Sequence, residues 1–254
     1  TTIGLAVPEQ NARDSATVQR WILPHVIQLL QHWSYVTDVK DHVDTGAYLN
    51  SLQMLGDLCS NQGNLAKAEE MYQRALKGYE KARGAECTST LVTVSNLGVL
   101  YAYQGKLAKA EDMFQWVLKW YEKALGAEHT STLSVVNNLG ALYNDQGKLA
   151  KAEEMYQRAL NGYEKTLGAA HTSTLNTVNN LGVLYANQGK PAQAEEMYQR
   201  ALKGYEKALG AEHTSTLSIV KNLGVLYEDQ GKLAKAEEMY QRWLKGKEKA
   251  DRIR

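Results

Sequence analysis

Three histidines, His129, His171 and His213, stand 42 residues apart, and Cys87 holds the same slot one interval earlier. Imidazole and thiolate are the commonest metal ligands and bases, so their spacing is the first question. If the interval marks a repeated helical unit, neighbouring copies stand about 10 Å apart by ordinary helix packing. Zinc–ligand bonds are about 2 Å long, so adjacent copies cannot share one ion. The histidines are therefore expected to serve turns between units. Acidic pairs such as Glu153-Glu154 also recur. They fall where a helix begins, where negative charge complements the helix dipole. They read as dipole and solvation residues, not as a catalytic dyad. No P-loop, GxSxG or HExxH string occurs. No catalytic residue, metal or cofactor is expected, and the chain does not read as an enzyme.

A second chemistry is carried by asparagine. Asn96, Asn138, Asn180 and Asn222 recur at the same interval, with Met54 in the earliest copy. A carboxamide offers two donors and an acceptor. A row of them can hydrogen-bond an extended peptide backbone without reading its side chains. The competing reading is that each amide bridges neighbouring helices. Mid-helix asparagine is unfavourable without some such reason.

These residues need elements to position them. Asn96-Leu97-Gly98 returns as Asn138-Leu139-Gly140, Asn180-Leu181-Gly182 and Asn222-Leu223-Gly224, and a looser first copy has Leu55-Gly56. A fixed period of this size builds a solenoid in which each unit contacts its neighbours. In the copy over 175–216, Leu175, Val178, Leu181, Leu184 and Tyr185 have helical spacing,. Gly189 is a candidate helix terminator, and Pro191 sits at a first-turn position. Ala194, Tyr198, Ala201, Leu202 and Tyr205 form the stripe of a second helix, which Gly210 ends. The hydroxyls of His213-Thr214-Ser215-Thr216 are expected to cap the next helix. Each unit is thus a hairpin, helix A then helix B. Gly182 with Ala194, and the pairs Gly98–Ala110, Gly140–Ala152 and Gly224–Ala236, fall where the helices need close approach.

Comparing the copies separates constant from variable positions. AEEMYQRAL in helix B recurs in three of them, whereas helix A varies. The variable slots read Asn50, Val92, Ser134, Asn176, Ser218; Gln53, Ser95, Asn137, Asn179, Lys221; and Asp57, Val99, Ala141, Val183, Val225. Two later slots read Ser60, Ala102, Asn144, Ala186, Glu228 and Asn61, Tyr103, Asp145, Asn187, Asp229. Steps of three and four residues place them on one helical face. Positions that pack the hairpin stay fixed while this face varies, as in a scaffold tuned to a partner. Asp145, Glu228 and Asp229 against Lys221 predict a mild preference for basic ligands.

Leu97-Gly98-x-x-Tyr101 followed by Ala110-x-x-x-Phe114 resembles the tetratricopeptide repeat,. The usual tryptophan is Leu52, Val94, Val136, Val178 or Val220. The standard unit is about 34 residues. The extra length, about two helical turns, falls in helix B. NNLGxLYxxQGK, AEEMYQRAL and EKALGAEHTSTL are similar to the kinesin-light-chain type, with Thr of HTST where that type usually has Pro. The same type is abundant in fungal NOD-like receptors, as a C-terminal array after a nucleotide-binding domain, and WILPH resembles the segment opening such arrays. The resemblance covers residues 49–254. It implies an all-α, right-handed superhelical solenoid of antiparallel hairpins with the variable helix-A face lining a concave groove. It also implies that the asparagine row holds a peptide, as in light-chain arrays. The expected groove residues are Asn96, Asn138, Asn180, Asn222, Asn137, Asn179, Lys221, Tyr103, Asn144, Asp145, Asn187, Glu228 and Asp229. The expected role is a protein-binding scaffold, the recognition domain of a NOD-like receptor in innate immunity. The alternatives are a light-chain-like cargo adaptor or a self-associating module.

The expected organisation is a flexible segment over 1–14, a degenerate capping unit over 15–48, and repeats over 49–90, 91–132, 133–174, 175–216 and 217–254. Trp243, Lys247 and the 251–254 ending suit a C-terminal cap. Trp116 and Trp120 share a face of helix B. They read first as packing on the next hairpin, and alternatively as a contact site. The 254 residues carry net charge +1 and are 44% hydrophobic. Near-neutral charge argues against a nucleic-acid surface. No apolar run approaches the roughly 18 residues a membrane span needs. No signal peptide is evident, and Cys59 and Cys87 read as reduced thiols of a cytoplasmic protein.

Overall fold

The computed structural model describes residues 45–253. Among them are ten helices and no strand. The helices are α1 Thr45–Asn61, α2 Leu65–Arg83, α3 Thr88–Tyr103, α4 Leu107–Leu125 and α5 Thr130–Asp145. Then come α6 Leu149–Thr166, α7 Thr172–Asn187, α8 Pro191–Leu209, α9 Thr214–Asp229 and α10 Leu233–Ile253. The flexible segment expected over 1–14 lies outside the described residues. So does the expected capping unit over 15–48, except 45–48, which open α1.

The chain forms two compact units that divide inside α3, between Leu100 and Tyr101. In the first, α1 packs on α2. In the second, the hairpins α5–α6, α7–α8 and α9–α10 each pack internally, and α4–α5, α6–α7 and α8–α9 join one hairpin to the next. Helix A also touches helix A, α5 against α7 and α7 against α9. This is the solenoid arrangement that the 42-residue period predicts.

The turns explain the period. At the end of α7, Gly189 has φ of 69°. Its N–H donates to Ala186 O, and Lys190 N–H reaches back to Tyr185 O at 2.8 Å. That pair of bonds is a Schellman ending. Pro191 then opens α8 where no N–H is required,. At the end of α8, Gly210 has φ 89° and ψ 163°, a region open only to glycine.

The HTST turn differs from the expected hydroxyl cap. His213 is the N-cap, and its Nδ1 accepts from Ser215 N–H at 3.1 Å. His129 and His171 do the same in their turns. Thr216 instead turns inward, is fully buried, and donates to Gly210 O at 2.7 Å. The imidazole reaches the free amide of the first turn, which releases the threonine hydroxyl to close the loop.

The small residues also act differently from the pairing expected. Ala194 is fully buried, but a Cβ on Gly182 would lie 2.6 Å from the Tyr198 ring. The glycine therefore makes room for an aromatic ring on helix B. A reciprocal contact had no counterpart in the sequence reading. Gly162 on α6 faces Leu133 of α5, 2.5 Å from where its Cβ would sit, and Gly204 faces Leu175 in the same way. Around such contacts Leu133, Val136, Ala159 and Tyr163 form a buried cluster, with Leu118, Met155 and Leu167 against it. In α10, Arg252 stands where the other copies have their terminating glycine, and the helix runs on to Ile253.

Candidate functional site

The varying slots of helix A are all half-buried or exposed, whereas Leu133, Val136, Leu139 and Leu142 of the same helix are buried. In the second unit α5, α7 and α9 lie side by side, so their varying residues share one face. It carries Asn137, Asn138, Asn144 and Asp145, then Asn179, Asn180 and Asn187, then Lys221, Asn222, Glu228 and Asp229. Tyr103 is exposed at 73%. Asn96 is on the part of α3 that belongs to the first unit.

The asparagine row is engaged between repeats. Asn180 Nδ2 donates to Asn137 Oδ1 at 3.3 Å, and Asn222 Nδ2 donates to Asn179 Oδ1 at 3.1 Å. In the first unit Asn96 Nδ2 donates to Asp57 Oδ1 at 3.0 Å. Asn187 likewise donates to Asn144 at 3.0 Å. The amides of Asn96, Asn180 and Asn222 thus bridge neighbouring helices A, the alternative that the sequence left open. The amides stay half-exposed, and each keeps donor and acceptor capacity beyond the bond it makes.

The charges of this face are partly committed. Lys221 Nζ lies 5.5 Å from the Trp243 ring centroid, which Lys247 also approaches at 5.5 Å. Tyr240 OH donates to Glu228 at 2.6 Å, and that bond holds the phenol up at about 12. Asp57 accepts from Tyr72 OH at 2.6 Å, yet burial keeps its carboxyl above the usual range. Elsewhere its slot holds valine or alanine.

The glutamate at the start of helix B, read from sequence as a dipole residue, is an inter-repeat hub. Glu153 accepts from Tyr185 OH at 3.2 Å and Gln188 Nε2 at 3.0 Å, with Lys190 Nζ 3.8 Å away. Glu111 accepts from Gln146 at 3.0 Å and Lys148 at 3.1 Å, which hold its carboxyl below the ordinary glutamate range. Glu195 accepts from Tyr227 at 2.8 Å. Helix B has a second junction further along. Arg158 pairs with Glu122 at 2.5 Å, and Arg200 with Glu164 and Arg242 with Glu206 repeat it. The recurrence of the two glutamates in every copy, and of the arginine in all but one, was the available signal. What they bond could not be read without knowing how one hairpin sits on the next. Trp116 takes that arginine slot in α4; it and Trp120 are half-buried, with Lys123 Nζ 4.6 Å from the Trp120 ring.

Among the described residues no three of His, Cys, Asp or Glu converge as a metal site. Cys59 and Cys87 are free thiols. No helix among those residues is long and apolar enough to cross a membrane.

The model of the tetratricopeptide repeat matches four overlapping windows, residues 44–123, 89–165, 130–207 and 172–249. The chain belongs to the tetratricopeptide repeat family. Among curated proteins none matches it significantly. BtubC (BKLC) from P. vanneervenii is similar in structure, with TM-score 0.70 at 24% identity over 92% of each chain. A putative kinesin light chain of Podospora anserina, with nearly identical TPR-like repeats, has TM-score 0.63 at 24% identity. That match covers 80% of this chain and 97% of the other. The apo form of RapI has TM-score 0.64 at 14% identity, over 94% of this chain and 97% of its own. At these identities the likeness is one of fold. The tetratricopeptide fold supports a protein-interaction scaffold, and repeats of this family are generally non-catalytic.

Proposed function

We propose that the helix-A face binds an extended peptide or a protein segment, and that the array is the recognition domain of a NOD-like receptor-type protein. The observation that carries the binding reading is the row Asn138, Asn180 and Asn222 of the second unit, with Asn96 as their counterpart in the first. Each stays half-exposed on the face that varies between copies while helix B stays constant. Inter-repeat bonds hold the amides of Asn96, Asn180 and Asn222, and pre-orientation lowers the cost of ordering a ligand. The receptor assignment rests on the light-chain-type motifs and the near-identity of the copies, which suits a recognition array renewed by duplication. The adaptor reading shares the same face.

Selection from a random peptide library against the wild-type chain and Asn138→Ala/Asn180→Ala tests the binding reading. Peptides that bind the wild type alone support it. Equal binding to both places the site elsewhere. A nucleotide-binding domain upstream in the parent gene supports the receptor assignment, and a heptad coiled coil there overturns it in favour of the adaptor.

A further inference from the structure

Between α7 and α9 the helix-A face opens into a cavity of about 280 Å³, lined by Asn176, Asn179, Tyr205, Ser215, Ser218 and Ile219 among others. Both of its amides are bonded within the protein. Asn179 Oδ1 accepts from Asn222 Nδ2 at 3.1 Å, and Asn176 Oδ1 accepts from the Tyr205 hydroxyl. The equivalent residue one repeat earlier is bonded in the same sense. Asn137 Oδ1 accepts from both Thr177 Oγ1 at 3.1 Å and Asn180 Nδ2 at 3.3 Å. An amide oxygen has two acceptor sites, and this one uses both. Each carbonyl oxygen of Asn176 and Asn179 takes one donor from the protein, so these side chains keep N–H groups and one further acceptor site each for the cavity,.

The serine hydroxyls add groups that both donate and accept. Neither a carboxylate nor an ammonium lines the cavity. Tyr205 is the ionisable lining residue, and burial holds its phenol neutral by raising its pKa. Lys221, one turn beyond Ser218, has its ammonium against the Trp243 ring. A carboxylate entering here would lose water without gaining a cation, which costs more than transferring a neutral amide. A lysine or arginine would likewise lose water with no carboxylate in the lining to pair its charge,. The complement is a carboxamide, its oxygen on the two asparagine N–H groups and its NH₂ on the serine oxygens.

We infer that this cavity is a specificity subsite for an asparagine or glutamine side chain of the bound peptide, an inference that rests on the peptide-binding reading. Asn179→Asp tests it, because the substitution keeps an oxygen for Asn222 and turns the outward N–H into an acceptor. A displayed random peptide library is selected on wild type and on Asn179→Asp, with circular-dichroism melts confirming that both fold. The inference expects Gln or Asn enriched at one position on the wild type. Those peptides should bind Asn179→Asp about tenfold more weakly or worse, since a mispaired polar group is costly. The variant's own selection should shift to Lys or Arg there. Enrichment of Asp or Glu on the wild type overturns the carboxamide assignment. Enriched peptides with no preference, or equal binding by the variant, overturn the subsite while the peptide-binding reading stands. No enriched peptide on either protein overturns both.

Discussion

Asp57 shows how one residue departs from its slot at a cost. The other copies place valine or alanine there, and burial holds the Asp57 carboxyl above the usual carboxylate range despite the Tyr72 bond. A raised folded-state pKa means that the native protein holds the proton more tightly than the unfolded chain. The contribution to stability is then full below the unfolded pKa and is lost as pH rises through the folded one. At neutral pH the charge is a net cost. Asp57→Asn should therefore stabilise the protein at pH 7, keeping an oxygen for Tyr72 and Asn96. The gain should shrink as pH falls into the carboxylate range. Urea unfolding at pH 7 and pH 4 checks it, and an equal or opposite effect at both refutes it. The sequence displayed Asp57 as an outlier in its slot but not its desolvation. That required Tyr72, on the other helix of the hairpin, to lie over it. The same limit holds for the asparagines, whose interval was legible and whose partners one repeat away were not.

At the scale of the hairpin, the periodic apolar residues, Pro191 and the turn glycines were enough to locate helices A and B. Each marker acts within a few residues of itself, so the fold was legible without tertiary information. The contact between helices was less so. Gly182 was paired with Ala194 in sequence, whereas the ring it accommodates belongs to Tyr198. Gly204 went unnoticed because glycine in a helix interior has no local signature of a leucine across the hairpin. Both should be sensitive to one added methyl group. Gly182→Ala and Gly204→Ala are each expected to cost about 1–3 kcal/mol in denaturant unfolding, as overpacking of a close contact does. The cause can be separated from helix propensity, since alanine is the better helix former by about 1 kcal/mol. Pairing Gly182→Ala with Tyr198→Leu should recover part of the loss, because the two share one contact. Simple additivity of the two single changes would show that the glycine serves something else. Trp120 occupies the Gly204 slot in α4 and is half-buried there.

Over the whole array, stability is the sum of hairpin terms and junction terms, and the helix-B glutamates sit at the junctions. Glu153 receives Tyr185, Gln188 and Lys190 of the following hairpin, whereas Glu154 beside it is exposed. Glu153→Ala should cost about 1–2 kcal/mol, the range for hydrogen bonds to a half-exposed charge with a weak ion pair. Glu154→Ala should change stability by less than about 0.5 kcal/mol. The larger consequence is for cooperativity. With the α6–α7 junction weakened, the hairpins α7–α10 should lose hydrogen-exchange protection more than α1–α6, and the unfolding transition should broaden, lowering its apparent m-value. A uniform loss of protection with unchanged m would mean that the array unfolds as one block and that the glutamate adds only to the total. Acid probes the same junctions from the other side. Glu111 is held below its ordinary 4.5 by Gln146 and Lys148. Its stabilisation is therefore present above that value and is lost as pH falls through the lower folded-state pKa. Glu111→Gln should flatten the acid limb of the stability curve, while a limb of unchanged slope would locate acid sensitivity in other carboxylates.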